Sequence, residues 1–218
     1  MLTETELLKI LRRGDLTAGE LEELLADRAV RRFQSVRLAL TAHPRTPRPE
    51  ALTLVTTLYW RGLARLSGDA RVHPEVRRAA DRDLSRRLPE MALAERVDLA
   101  RTAGRGTLLT LRSDPDPRVL SALLDNRFTT EPDVVQLAAR REAAEALFEA
   151  IAAHPRWSAS PAVRGALLRN RSLPIAIALA LLTRASTRDL AGLRDSPGVP
   201  RFLRECAQRV LARRAAQD

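Results

Sequence analysis

Residues 36–87 return, much altered, 127 positions further along the chain. Laid over residues 163–214 without a gap, they match at roughly 20 of 52 positions, where a composition rich in Arg, Ala and Leu gives about 5 by chance. Shared positions include Val36/Val163, Arg37/Arg164, Pro47/Pro174, Leu52/Leu179, Leu63/Leu190, Val72/Val199, Arg77/Arg204, Arg82/Arg209 and Leu84/Leu211. Self-similarity over this length is the signature of stacked units. Each unit is too small to bury its apolar face alone and packs on its neighbour instead.

The units read as helices. Aromatics are 3% of the chain and β-branched runs are short, so strand signals are nearly absent. Thr3–Glu6 and Thr17–Glu20 fit capping boxes ahead of leucine-rich stretches, and Asp116-Pro117 and Ser160-Pro161 place a capping side chain before a proline at the first helical position. The pattern predicts helices near 4–13, 18–27, 29–42, 49–58, 60–67, 74–87, 90–102, 105–112, 117–125, 132–140, 142–153, 161–169, 174–183, 187–194 and 200–214. Val119–Asn126 resembles Val163–Asn170 at an offset of 44. The expected unit is therefore about 40–45 residues, beginning near 43, 87, 126 and 170. Residues 1–30 carry seven acidic residues and fit no unit, which marks them as an N-terminal helical cap on one continuous array over 31–218.

The pattern Val-Arg-x-x-Ala or its close variant occurs in Val36–Leu40, Val76–Ala80 and Val163–Leu167, and Asp114–Val119 reads Asp-Pro-Asp-Pro-Arg-Val. On these residues the stretch of about 30–215 resembles the HEAT-like and leucine-rich-variant helical repeat families. The resemblance implies an all-α, right-handed superhelical solenoid and, for most members, a binding scaffold without enzymatic activity. A minority of such proteins resemble alkylpurine DNA glycosylases, which hold damaged DNA on the same kind of frame.

Charge narrows the partner. The net charge is +10, and Lys9 is the only lysine. The arginine excess reads in two ways: as a surface for carboxylates or phosphates, or as a coding bias toward Arg and Ala. Either way acidic partners are favoured over basic ones. A single cysteine, Cys206, excludes an internal disulfide and a Cys-based zinc site; its match to Ala79 suggests a small buried position. The longest uncharged run, roughly 172–183, is too short to span a bilayer, and residues 1–15 lack an apolar signal core. A cytoplasmic location is expected.

Catalytic motifs are missing. His43, His73 and His154 each precede a proline, which reads as capping at helix junctions rather than metal binding or catalysis. Gly104-Arg-Gly106 lacks the strand a phosphate loop needs and reads as a turn. Asp81, Asp83, Glu142 and Glu145 read as helix caps or partners of nearby arginines. The chain is expected to be no enzyme and to need no cofactor or metal. Its expected function is to bind an acidic protein segment on a concave face, with Arg78, Arg82, Arg209 and Arg213 as partner-binding residues. Arg37, Arg77, Arg164 and Arg204 are expected to pair with acids of neighbouring units. The alternative is nucleic-acid binding, with Trp60 and Trp157 stacking on an extruded base rather than anchoring repeats.

Overall fold

The computed structural model describes residues 2–13 and 15–216; the ends of the expected segments at residues 1, 217 and 218 lie outside it, as do residue 14 and the side chains of residues 18 and 29. The chain is all-helical, with 70% of residues in helix and no strand among the described residues. The helices group into two compact units, Met1–Leu111 with Asn126–Phe128, and Arg112–Asp125 with Thr129–Asp218.

The first unit holds α1 (Glu4–Leu11), α2 (Ala18–Ala26), α3 (Arg28–Arg31), α4 (Gln34–Ala42), α5 (Arg48–Val55), α6 (Trp60–Gly68), α7 (Pro74–Arg87), α8 (Leu93–Thr102) and α9 (Arg105–Leu111), with a 3-10 turn at Leu88–Glu90. Both expected capping boxes form: Glu6 and Glu20 each accept from the cap threonine's amide, at 2.7 and 2.8 Å. The helices pack in two rows. In one, α1 packs on α4, α4 on α6 and α6 on α8; in the other, α5 packs on α7 and α7 on α9. The acidic N-terminal segment contributes to this core. Leu7, Leu11, Leu16, Leu21, Leu25 and Val30 form one buried cluster with Val36, Leu40 and Leu54.

The second unit holds α10 (Pro117–Leu123), α11 (Glu131–Ala138), α12 (Glu145–Ala153), α13 (Pro155–Ser158), α14 (Pro161–Arg169), α15 (Ile175–Arg184), α16 (Thr187–Arg194) and α17 (Arg201–Ala215). Here α10 packs on α12, α12 on α15 and α15 on α17, while α11 packs on α14 and α16 on α17.

The starts of helices α3 to α7 and α13 to α17 repeat the offset of the matched sequence blocks at all five places: 28 and 155, 34 and 161, 48 and 175, 60 and 187, 74 and 201. Two of these starts were not foreseen. The helix expected over 29–42 breaks before Gln34, where Phe33 is extended and packs against the N-terminal cluster. Helix α13 begins at His154-Pro155, where the sequence suggested only a turn.

One arginine bonds corresponding carbonyls in the two units, and Arg87 alone adds an ion pair with the buried Asp83, whose counterpart is Val210. Arg87 donates to the carbonyls of Leu58 at 2.8 Å and Thr56 at 3.2 Å. Arg214 donates to the carbonyls of Ala185 at 2.9 Å and Thr183 at 3.0 Å. Every group in the second set is the counterpart of one in the first at that same offset. The guanidinium thus satisfies carbonyls at the end of α5 or α15, which have no partner within their own helix.

The buried positions correspond less fully. Leu84 is completely buried, but Leu211 is only half-buried. The two matched leucines are therefore not equivalent in the core: α7, which carries Leu84, packs on α9 as well as on α5 and α6. Cys206 and its counterpart Ala79 are likewise not buried as expected; Ala80 and Ala207, one residue on, occupy the core.

The glycines at 104 and 106 permit two close approaches. A Cβ on Gly104 would collide with the Ser67 carbonyl, and one on Gly106 with the Asp81 carboxylate. The space left lets Ser67 Oγ accept from the Gly104 amide at 3.0 Å, and Asp81 accept from the Thr107 amide at 2.9 Å. Asp81 thereby serves the first turn of α9 as an N-terminal cap.

Candidate functional site

Two neighbouring grooves open on the α1–α4–α6–α8 row of the first unit. Trp60 begins α6 and sets the wall of the smaller one. Its indole N–H donates to Glu95 Oε1 at 3.0 Å, while Glu95 Oε2 accepts from the Ala92 amide at the start of α8 at 3.1 Å. One carboxylate therefore caps α8 and ties α6 to it. The Arg61 guanidinium lies 4.9 Å from the centre of the Trp60 ring. The groove holds about 330 Å³ and is lined by Trp60, Arg61, Ala64, Arg65, Asp98, Arg101 and Thr102. Three arginines face one aspartate. Asp98 sits 3.5 Å from Arg61 and 3.8 Å from Arg101 across exposed side chains, so both links are weak.

The larger groove, about 670 Å³, lies between α1, α4 and the end of α6. Its floor is apolar, with Leu8, Leu11, Leu38, Ala39, Ala42, Pro44 and Val72. Its basic side chains are Arg12, Arg65 and Arg71, and its carboxylate is Asp69. Hydrogen bonds from the Arg71 side chain and amide hold the Asp69 carboxyl down at about 2, so it is ionised and committed to Arg71 at neutral pH. Arg12 and Arg65 are exposed, and neither forms an ion pair among the described residues. Arg65 lines both grooves.

The residues expected to bind a partner lie elsewhere. Arg78 and Arg82 belong to α7, in the other row, and line neither groove; Arg209 and Arg213 belong to α17 of the second unit. Trp60 is half-buried in the smaller groove, but Trp157 is 3% exposed and belongs to the second unit. Its N–H donates to the Leu124 carbonyl at 2.9 Å and Arg156 covers its ring at 4.1 Å, so it anchors α13 and offers no open face for a base. Recurrence in the sequence does not point to the groove arginines Arg65 and Arg101. Arg65 has Gly192 as its counterpart, and Arg101 lies outside the matched blocks.

The recurrent flanking arginines divide. Arg164 pairs with Asp189 at 2.5 Å, as expected. Arg37, Arg77 and Arg204 form no such ion pair among the described residues, and the Nε atoms of all four are buried without a hydrogen bond.

All three histidines sit at junctions and accept through Nδ1 from the amide two residues on: His43 from Arg45, His73 from Glu75 and His154 from Arg156, each at 3.2 Å. His73 and His154 are thus N-caps of α7 and α13. His43 also serves a carbonyl, since its ring hydrogen-bonds the backbone of Arg13. Asn126 and Asn170 do both. Their oxygens accept from Phe128 and Ser172, and their nitrogens donate to the carbonyls of Ala100 and Ala103, and of Ala138 and Arg140. Among the described residues no three His, Cys, Asp or Glu side chains converge as a metal-binding group, and no helix is long and apolar enough to cross a membrane.

Compared with known protein families, curated proteins and solved structures, the chain matches none.

Proposed function

We propose that this chain is a non-enzymatic, HEAT-like helical-repeat scaffold, a right-handed solenoid in class, and that its N-terminal unit binds an acidic protein segment along the two grooves. The repeat reading is supported by the matched helix starts and the matched Arg87 and Arg214 clamps. The binding reading rests on one observation above the rest: Arg12 and Arg65 flank an apolar floor and pair with no carboxylate among the described residues.

A groove of this kind suits a segment that places leucine-like side chains on the floor and carboxylates on the two guanidiniums. Arginine forks bind carboxylates with two parallel hydrogen bonds, and partial desolvation against an apolar floor strengthens each. The groove's own acid, Asp69, does not compete, since Arg71 holds it. The proposed location is the cytoplasm, in keeping with a single cysteine.

Nucleic acid is the competing partner, and one titration separates the two. A fluorescein-labelled peptide of alternating Glu and Leu and a labelled duplex DNA are each added to the wild-type chain and to Arg65→Glu at physiological salt. Peptide binding in the micromolar range, weakened about tenfold or more by the substitution, is the expected result. Duplex binding tighter than peptide binding, with a steep salt dependence, refutes it.

A further inference from the structure

We propose that the outer face of α15 and α17 is a docking surface for a second copy of this chain. The proposal concerns the second unit and is independent of the grooves.

The starting observation is a substitution between corresponding positions. Arg48 on α5 pairs with Glu75 on α7 at 3.1 Å, both side chains well exposed. Helices α15 and α17 are the counterparts of α5 and α7 in the repeat and pack on each other as that pair does. At the positions of Arg48 and Glu75 they carry Ile175 and Phe202. A solvated ion pair has become two large apolar side chains, 63% and 50% exposed, and Leu179 adds a third at 40%. Together they expose on the order of 300 Å² of apolar surface, the size at which a patch on a monomer signals a binding surface.

The pattern on α15 indicates the occupant. Ile175, Ala176, Leu179 and Ala180 are all exposed and fall on one stripe. Large and small side chains alternate along it, so the stripe carries both protrusions and gaps. A face that supplies both can interleave with itself about a two-fold axis, as a closed dimer requires.

Charge points the same way. The chain carries +10, so two copies repel over most of their surfaces. This stripe is charge-free from Ile175 to Thr183. An acidic partner finds no guanidinium on it. At its edge on α17, Arg201 and Glu205 pair with each other at 2.9 Å, and opposite charges beside an apolar centre can exchange partners across a two-fold axis. These three side chains alone give about 600 Å² over two copies, below the roughly 1,000 Å² of a specific interface, so Ala176, Ala180, Arg201 and Glu205 must add to the contact and the expected dimer is a weak one, formed at micromolar concentrations.

The test grafts the corresponding ion pair onto the face. The full chain is examined by sedimentation velocity from about 5 to about 200 μM, as wild type and as the double variant Ile175→Arg/Phe202→Glu. The wild type should pass from monomer to dimer across this range. The graft should weaken the dimer about tenfold or more, with an unchanged circular dichroism spectrum. If the graft does not fold, Leu179→Gln alone should weaken the dimer in the same direction. Raising the salt from about 0.05 to about 0.5 M should leave the wild-type dimer intact or strengthen it, because screening relieves repulsion. A wild type that stays monomeric, a dimer indifferent to the folded variants, or a dimer that salt dissolves overturns the proposal.

Discussion

Replacing Gly62 with aspartate should stabilise the first unit, and the second unit supplies the geometry. Asp189 is the third residue of α16. Its amide donates to Ser186 Oγ at 3.1 Å and its carboxylate accepts from Arg164 Nη2 at 2.5 Å, with both side chains mostly buried. Burial pushes the Asp189 carboxyl up, but the hydrogen bonds from Arg164 and Ser186 and the arginine's charge outweigh it and hold it below the usual range. The corresponding residues are Gly62 and Arg37. Arg37 therefore lacks the carboxylate its counterpart has at this position. A side chain fits at 62: an added Cβ meets only Leu38 and Leu58, no nearer than 3.7 Å. Removing a helical glycine contributes about 0.3 kcal/mol for aspartate and up to about 1 kcal/mol for alanine. A negative charge in the first turn of α6, whose cap Tyr59 makes no side-chain bond, adds about 0.3–1 kcal/mol. A half-buried pair with Arg37 adds about 1 kcal/mol. Gly62→Asp should thus gain about 1.5–2.5 kcal/mol, or roughly 3–9 °C in Tm for a chain this size. Thermal melts at pH 7 of Gly62→Asp, Gly62→Asn and Gly62→Ala, each with and without Arg37→Ala, isolate the pair. The reasoning fails if Gly62→Asp melts no higher than Gly62→Asn, or if its advantage survives Arg37→Ala.

Three further outcomes are expected. Burial pushes the His43 imidazole below its ordinary value of 6.5, a hydrogen bond to the Arg13 carbonyl opposes this, and the Arg45 charge adds to it. His43 therefore contributes its full stability above about pH 6.5 and loses it as the pH falls through the lower folded value; His43→Asn, which copies Asn126 and Asn170, should shrink the Tm difference between pH 7 and pH 5, and an unchanged difference refutes this. Leu84→Ala should cost about 2–5 kcal/mol and Leu211→Ala less than half as much in denaturant melts, because only Leu84 is fully buried; equal costs would mean that Leu211 is covered after all. Arg87→Ala and Arg214→Ala should each cost about 1–3 kcal/mol through two unpaired carbonyls, Arg87→Ala the more because it also strips the buried Asp83 of a partner, and a loss at one site only would break the correspondence between the units.

The fold was legible where the sequence carries local chemistry. Thr3, Thr17, Asp116 and Ser160 announce helix starts through oxygens that accept amides, and the structure shows those bonds. The break before Gln34 was not legible, because no Gly or Pro marks it; Phe33 turns the chain by packing against residues from the N-terminal segment. The site was less legible than the fold. Position 65 falls on a groove only because α1, α4, α6 and α8 form a row, and helix-by-helix periodicity gives no row order. Recurrence drew attention to Arg82 and Arg209, yet the residue whose recurrence has a visible structural meaning is Arg87, paired with Arg214.

Recurrence and the proposed binding surfaces separate along the chain for a physical reason. Groups that close the frame must satisfy the same carbonyls and fill the same gaps wherever the frame is used, so the clamps at Arg87 and Arg214 keep both identity and geometry. A surface that meets a partner is under no such constraint. At corresponding positions, Trp60 becomes Thr187, Arg65 becomes Gly192, and the Arg48–Glu75 pair becomes Ile175 and Phe202. Each change leaves the helix starts in place while exchanging one surface chemistry for another. The groove arginines and the apolar stripe are therefore features the frame does not require. Arg87→Ala should lower stability without a groove-specific loss of peptide binding, whereas Arg65→Glu should weaken binding about tenfold or more while the melting temperature stays within about 2 °C of wild type, as is usual for an exposed side chain. A large loss of stability in Arg65→Glu would return that arginine to the frame, and with it the claim that the groove is built for a partner.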